Sequence, residues 1–517
     1  MQELKDQHVL ILGLGASGLA MARWCARCGA MVTVADTRED PPQLQALREQ
    51  LPQARFTGGP FGADLVSEEV QAVFRSPGLS PEQVAVVACA ARERGIPVGG
   101  ELSLFADALA GLRAREGYAP TVLAVTGTNG KTTVTALAGQ LVERSGRTVA
   151  VAGNIGPTLL DTLAGKIDSG ALPQVWVIEL SSFQLDTPGE FESTAAAVLN
   201  VTQDHLDWHG SMEAYAGAKA RIFGKNALMI LNREDPLVMG MVPEPIRVKG
   251  GRMEQRPYLT FGGDAPQRPG DFGIEVVNGM AWLVRAQEAD ETQRRRPRSL
   301  QARELAAAQA GADEELYIQR LMPADALRIR GRHNAVNALS ALALAGAAGC
   351  PLGPMLYGLR EYRGEPHRVE PVGIINQVEY FDDSKGTNVG ATVAALQGLG
   401  AERKVIVILG GEGKGQDFSP LAAPVSRHAR AAVLIGRDAP LIRAVLEPAG
   451  VPLIDAGSMQ EAVSLATERA SPGDAVLMSP ACASFDMFRN YPHRAEVFRA
   501  AVRELADGAG VEIGGSA

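Results

Sequence analysis

Short, unbroken apolar runs punctuate the chain at 8–12, 31–35, 72–74, 96–98, 122–125, 175–178, 196–199 and 227–231, and again at 378–381, 404–409, 432–435 and 475–478. Between them lie longer stretches with apolar residues at helical spacing, so the pattern predicts strands alternating with helices, the signature of α/β folds with largely parallel sheets. The first unit reads strand, glycine turn, helix, strand: the run 8–12, then Gly13-Leu-Gly15-Ala-Ser-Gly18, an amphipathic stretch to Gly29, and a second run ending at Asp36. One segment departs from this rhythm. Around Asn278-Gly279 two alternating runs, 274–277 and 280–284, predict a hairpin closed by a type I′ turn. The small and polar stretch 108–120 reads as a linker, and residues 286–312 read as a solvated insertion loop. That insertion carries Arg294, Arg295, Arg296 and Arg298, but acids flank them and aromatics are absent, so a nucleic-acid patch is not expected.

The length of 517 residues allows three to four domains at about 150 residues each. With 46% hydrophobic and 21% charged residues the chain is expected to fold as a globular protein. A formal charge of −9 excludes a general nucleic-acid binder, which needs a basic surface, but leaves small anionic ligands open because pockets set their own field. Five scattered cysteines fit a reducing compartment, and the Cys25-x-x-Cys28 pair, with no second metal-ligand pair nearby, reads as packing within a helix. Glu3 and Asp6 stand where a secretory signal needs positive charge, and no apolar stretch is long enough to span a bilayer, so a cytoplasmic protein without membrane insertion is expected.

Chemistry concentrates at two glycine loops. Thr126-Gly127-Thr128-Asn129-Gly130-Lys131-Thr132-Thr133 follows one strand and opens a helix. Glycines there let backbone N–H groups face phosphates, Lys131 meets the outer phosphates, and Thr132 can ligate Mg²⁺. The earlier Gly13-x-Gly15-x-x-Gly18 loop, with Asp36 following the next strand, admits three readings: a dinucleotide site, a nucleotide-sugar site using Asp36, Thr37 and Arg38, or glycines serving helix–strand packing alone. Glu179, in Glu179-Leu-Ser-Ser-Phe-Gln184, ends a strand, and Asp204-His205-Leu-Asp207 follows another. Thr132, Glu179 and His205 are thereby expected to converge at the carboxyl edge of one sheet, where α/β proteins bind ligands.

These motifs, together with Gly153-Asn154-Ile-Gly156, Gly331-Arg-His-Asn334-Ala-Val-Asn337, Pro366-His-Arg368 and Ser479-Pro-Ala-Cys-Ala-Ser484, resemble the Mur ligases of peptidoglycan synthesis over nearly the whole chain. The N-terminal glycine loop, Asp382-Asp383-Ser-Lys385-Gly-Thr387-Asn388 and Gly410-Gly-Glu-Gly-Lys414 are similar to the members that add D-glutamate to UDP-N-acetylmuramoyl-L-alanine.

The resemblance implies a three-domain α/β fold: a Rossmann-like UDP-substrate domain (1–108), a central ATP-binding domain of phosphate-loop type with a mainly parallel sheet (109–364), and a Rossmann-like amino-acid-binding domain (365–517). It implies ATP, Mg²⁺ and a CO₂-derived carbamate on Lys219 as cofactors. Lys131, Glu179, His205 and Lys219 are implied as catalytic residues, with Thr132, Glu179, His205 and the carbamylated Lys219 holding metal. Gly127, Thr128, Asn129, Gly130, Lys131, Thr132 and Thr133 would bind the ATP phosphates, and Asn334, Asn337, Arg368 and Asp383 its base and ribose. The UDP substrate is assigned to Gly15, Ser17, Asp36, Thr37, Arg38, Ser76, Pro77, Gly78 and Asn154. D-Glutamate falls to Lys414, Thr387, Ser484 and Tyr491. Partners are small molecules only, the chain is expected to be a monomer, and the carboxyl-terminal domain to swing about a hinge at 363–366. Two positions depart from the family pattern, Gly386 for a common Ala and Tyr491 for a Phe, and neither removes a charge. The insertion is not part of the shared pattern. A nicotinamide oxidoreductase, a non-catalytic scaffold, and another glutamate- or amino-acid-adding ligase of Mur or folylpolyglutamate type are the alternatives. The first two leave Lys131, Glu179 and Lys219 without a task.

Overall fold

The computed structural model describes residues 4–187, 189–247, 253–288, 316–401 and 403–511. Its backbone gathers into two compact units, one of Met1–Val201, His205–Phe261 and Ser340–Gly358, the other of Thr202–Asp204, Gly262–Leu339 and Leu359–Ala517.

The first unit holds two parallel sheets. Strands β1 (His8–Leu12), β2 (Met31–Asp36), β3 (Arg55–Gly58), β4 (Val70–Arg75) and β5 (Val98–Gly99) pair in the order β3-β2-β1-β4-β5. Every residue of β1 is buried, which is why its sequence shows no alternation. Helix Ala16–Arg27 covers this sheet and brings Cys25 and Cys28 into the core, where burial pushes both thiols above their usual range, so their role is packing.

The predicted linker 108–120 is mostly helix. Residues Glu101–Glu116 form one helix whose Leu104, Phe105, Ala108 and Leu112 are buried at helical spacing, and Gly117 ends it in the left-handed conformation. Its small residues suggested a connector, while the spacing of its apolar positions determines the fold. This helix packs with Ala16–Arg27 and with Leu159–Asp168, which belongs to the next sheet, so the two sheets share one core. Ion pairs Arg23–Asp161 (3.1 Å) and Arg27–Asp168 (2.6 Å) flank the contact.

That next sheet contains β6 (Thr121–Thr126), β7 (Val149–Gly153), β8 (Val175–Glu179), β9 (Ala195–Val198) and β10 (Leu228–Asn232). A small antiparallel pair, β11 (Ile246–Arg247) and β12 (Met253–Glu254), precedes β13 (Tyr258–Phe261). The order β13-β10-β9-β6-β8-β7 is parallel throughout. Register sets Val125 against Glu179, Glu179 against Gly153, and Thr126 against Val198, so the segments after β6, β7, β8 and β9 emerge along one carboxyl edge.

The second unit opens with antiparallel β14 (Phe272–Val277), β15 (Met280–Glu288) and β16 (Leu316–Pro323). Asn278 (φ 51°) and Gly279 (φ 80°) form the predicted hairpin turn, both with the positive φ that type I′ requires. The expected insertion begins later than 286: β15 continues to Glu288, which pairs with Leu316. Residues 289–315, including the four arginines, lie outside the described residues. The last sheet comprises β17 (Glu370–Ile375), β18 (Val378–Asp382), β19 (Val405–Gly410), β20 (Ala429–Ile435), β21 (Leu453–Asp455) and β22 (Ala475–Met478), ordered β17-β18-β22-β19-β20-β21 and parallel except for edge strand β17. Among the described residues no helix is long and apolar enough to cross a membrane.

Candidate active site

Gly127 (φ 155°) and Gly130 (φ 84°) take backbone conformations that L side chains rarely adopt, and they turn the chain from β6 into helix Lys131–Arg144. Gly130, at the N-cap, gives no side-chain cap bond, and the start of such a helix attracts anions through its N–H groups and dipole. Asn200, just beyond β9, braces the loop by accepting from Asn129 N–H at 2.8 Å and donating to the Asn129 carbonyl at 3.1 Å. Lys131 Nζ donates to the carbonyls of Gly127 and Thr128, both at 2.9 Å.

Lys219 is 1% exposed, and its Nζ also donates to the Gly127 carbonyl, at 2.9 Å. Two ammonium nitrogens bound to one oxygen lie no more than about 6 Å apart, a repulsion of about 3 kcal/mol at an effective dielectric near 20. The Lys219 ammonium stands 4.3 Å from the Tyr215 ring centroid, and the His205 ring lies 6.4 Å from the same ring. His205 itself has left-handed backbone (φ 53°), and its ring packs edge-on against Phe183 at 4.6 Å.

Glu179 is 1% exposed at the end of β8. Its Oε1 accepts from Asn154 Nδ2 at 2.9 Å, whereas its Oε2 is buried without a hydrogen-bond partner. An orphaned carboxylate oxygen beside a phosphate-binding loop is the donor chemistry that Mg²⁺ selects, so the residues present fit the ion. Thr132, Glu179 and His205 thus follow the carboxyl ends of strands β6, β8 and β9 of one sheet, and Lys219 reaches the same loop through the Gly127 carbonyl.

In the N-terminal loop two of the three glycines separate by role. A Cβ on Gly18 would stand 1.9 Å from the Gly13 carbonyl oxygen, so this glycine serves close packing, whereas a Cβ on Gly15 would meet nothing within 4 Å, leaving open space above an uncapped helix N-terminus. Asp36 is turned to internal work. Its carboxylate accepts from Leu14 N–H (2.7 Å) and from the Arg38 guanidinium (2.8 Å), and although burial opposes ionisation, these bonds bring it down to about 2. Ser76 donates to the Gly13 carbonyl at 3.1 Å. Thr37, Arg38, Pro77 and Gly78 line the same carboxyl edge, after β2 and β4.

The second unit carries the remaining candidates. Asn334 and Asn337 share one helix, Arg332–Ala347, and are hydrogen-bonded to each other at 3.3 Å. Asp383 is buried, accepts from Ser479 Oγ at 2.6 Å and from Val369 N–H at 3.3 Å, and burial raises its carboxyl to about 7 despite the Ser479 bond and the charge of Arg368. Three loops at the carboxyl edge of this sheet are stitched by backbone bonds: Glu412 exchanges two with Ala483, and Ala481 N–H reaches the Gly386 carbonyl at 3.0 Å. They present Thr387, Lys414 and Ser484. Lys414 has φ 52°, a strained value for a lysine, and its Nζ lies 5.8 Å from the Phe485 ring. Tyr491 accepts from Lys385 Nζ at 3.3 Å.

Several supporting residues show little in the sequence. Arg494 is 1% exposed and donates to the carbonyls of Cys482 (3.1 Å) and Ser384 (2.8 Å), with burial lowering it to about 10. Asn200 and Tyr215, which meets Thr128 Oγ1 at 3.2 Å, shape the phosphate loop. Only Asn200 carried a signal, an amide at a strand end opposite a glycine loop.

A phosphate-binding loop on a parallel sheet, with a buried carboxylate and lysine beside it, marks a nucleotide-dependent α/β enzyme, and the chain belongs to the Mur ligase family. Family models match it as the Mur ligase MurD-like N-terminal domain (residues 7–100), the Mur ligase middle domain (125–250) and the Mur ligase glutamate ligase domain (367–482). It is 69% identical to the UDP-N-acetylmuramoylalanine--D-glutamate ligase of Albidiferax ferrireducens across 100% of both chains, and 57% identical to that of Ralstonia nicotianae across 99% of both. Among solved structures it shares its fold with the UDP-N-acetylmuramate-alanine ligase MurC of Thermotoga maritima (TM-score 0.53, 19% identity, 97% of this chain and 100% of that one). The MurF ligase of Thermotoga maritima in complex with ADP is similar too (TM-score 0.53, 16% identity, 98% and 97%).

Proposed function

We propose that the chain is the ATP-dependent ligase that joins D-glutamate to UDP-N-acetylmuramoyl-L-alanine in peptidoglycan precursor synthesis, acting as a cytoplasmic monomer. The observation that carries this reading is end-to-end identity of 69% with a D-glutamate ligase, combined with an intact phosphate loop, Glu179 and Lys219.

The reaction must overcome a poor leaving group. Oxide is not expelled from a carboxylate, so the terminal phosphoryl group of ATP is first transferred to the L-alanyl carboxylate oxygen and ADP is released. The D-glutamate amine then attacks the acyl carbon and loses a proton. Collapse of the tetrahedral adduct expels inorganic phosphate and leaves an amide. The N–H groups opening helix Lys131–Arg144, together with Lys131, hold the phosphates and offset charge on the transferring group. Mg²⁺, held by Thr132, Glu179 and His205, would neutralise further phosphate charge when bound.

Lys219 carries its own argument. As an ammonium it repels Lys131 across the shared Gly127 carbonyl. Carbamylation turns it into an anion with two ligand oxygens, and the remaining N–H can still donate to Gly127. Asn334, Asn337, Arg368 and Asp383 take the ATP base and ribose in this reading. Gly15, Ser17, Thr37, Arg38, Ser76 and Asn154 take the UDP substrate, with Asp36 shaping their loop. Lys414, Thr387 and Ser484 supply the cation and hydroxyls that a dicarboxylate needs, with Tyr491 behind them. The deciding assay is phosphate release from ATP with UDP-N-acetylmuramoyl-L-alanine, comparing D-glutamate with L-glutamate, L-alanine and meso-diaminopimelate. Release with D-glutamate alone is expected. Equal release with L-glutamate would return the reading to another amino-acid-adding ligase.

A further inference from the structure

Three helix N-termini meet inside the first unit, at the contact between its two sheets. Helices Ala16–Arg27, Glu101–Glu116 and Leu159–Asp168 pack against one another, and each begins there. Each N-terminus brings unpaired N–H groups and partial positive charge, which calls for an acceptor. The Glu101 side chain, 3% exposed, supplies it. Its carboxylate accepts from Leu160 N–H at 3.2 Å, and the Leu159 N–H and the Ser17 hydroxyl stand close enough to favour its charged form. Thr158 Oγ1 takes Asp161 N–H, so the Leu160 amide in the first turn of helix Leu159–Asp168 is capped from the other sheet's side of the contact. Burial holds the Glu101 carboxyl above its ordinary range, the cost of placing an anion there.

The two segments that meet at Glu101 belong to opposite sides of the UDP-substrate site. Ser17 sits in the first turn of the helix above the open space at Gly15. Helix Leu159–Asp168 follows directly from the Gly153–Pro157 turn that presents Asn154. We propose that Glu101 is a positioning residue for the UDP substrate, fixing the spacing between the Ser17 loop and the Asn154 turn so that both grip one diphosphate-sugar at once. The proposal rests on the substrate reading given above. Glu101 lies behind the site and touches neither the phosphate loop nor the second unit's candidates in the contacts described.

The experiment uses the full chain with Glu101→Ala, Glu101→Asp and Glu101→Gln. Glu101→Ala removes the acceptor that faces Leu160 N–H and the Ser17 hydroxyl and is expected to raise KM for UDP-N-acetylmuramoyl-L-alanine at least about tenfold, the scale of one or two lost hydrogen bonds, with kcat and KM for ATP within about twofold. Glu101→Asp, which withdraws the carboxylate by one methylene and keeps the charge, should show the same split if the alanine variant is insoluble. Glu101→Gln retains an acceptor for the helix amides and a donor for Ser17, and should restore KM to near the wild-type value. Calorimetric titration with UDP alone reports binding independently of turnover. Equal rises in the KM of ATP and UDP substrate, or unchanged UDP-substrate KM and UDP affinity in both the alanine and aspartate variants, would overturn the proposal. Wild-type chain that releases no phosphate with the UDP substrate would instead refute the functional reading.

Discussion

Asp383→Asn separates one buried acid from everything else in the second unit. The Asp383 carboxyl is raised from 3.8 to about 7 by burial, so between those values the folded state holds a proton that the unfolded state has released. Stability then falls with rising pH, by about 1.4 kcal/mol per pH unit, and the total reaches about 4 kcal/mol above pH 7. His333 slopes the other way: burial of its ring lowers it from 6.5 to about 4, so its contribution is complete above about 6.5 and is lost as pH falls. The two tendencies oppose each other in the wild type, and His333 cancels in a comparison with the variant. Asparagine keeps an acceptor for Val369 N–H and can donate to Ser479, which still reaches Thr392 Oγ1 at 3.0 Å. The assay is native-state hydrogen exchange of β18 and β22 at pH 4, 5.5 and 7, corrected for intrinsic rates. Near pH 4 the two proteins should match in opening free energy. By pH 7 the variant should be the more stable, by up to about 4 kcal/mol. A difference that does not grow between pH 4 and 7 refutes the assignment of a neutral Asp383.

Lys131→Ala is expected to lower phosphate release by two to three orders of magnitude while circular dichroism and the melting midpoint hold, and unchanged release would remove the phosphate-loop assignment. Stripping CO₂ should depress activity, and native mass spectrometry should find one added CO₂, lost in Lys219→Ala; full activity without CO₂ would exclude the carbamate. Replacing 289–315 with an Asn-Gly turn should leave kcat/KM unaltered and stabilise β15–β16 by about 1 to 2 kcal/mol through a shorter loop closure, and a large loss of activity would assign that segment a catalytic task. With ATP and the UDP substrate present, X-ray scattering should record a smaller radius of gyration, and an unchanged one would count against domain closure.

Where local chemistry alone determines structure, the chain was readable. Asn278-Gly279 closes the hairpin, and the glycines at 127 and 130 take the positive φ that their loop demands. Buried runs such as 8–12 and 175–178 mark strands covered on both faces, in which composition leaves little choice. What escaped depends on partners distant in sequence. Glu101 looks like an ordinary acid in a helix's first turn, and only the fold brings Ser17 and Leu160 to it. Arg494 reads as a surface arginine on an amphipathic helix until the loops ending at Ser384 and Cys482 close over it. The stretch beyond 108 reads as a connector because alanine and glycine carry little hydrophobic signal, and the burial of the 101–116 helix comes from helices on either side. Asp36 was legible as a strand-end acid, but its engagement with Leu14 and Arg38 was not.

Glu179 has one oxygen held by Asn154 and the other unpartnered. A cation drawn to the second oxygen and a sugar drawn to Asn154 therefore compete or cooperate through a single side chain. Binding free energies around such a junction form a closed cycle, so whatever factor nucleotide and metal impose on affinity for the UDP substrate, the UDP substrate must return to them unchanged. In the proposed reaction, the coupling between metal and UDP substrate through this one carboxylate would then be measurable in either direction.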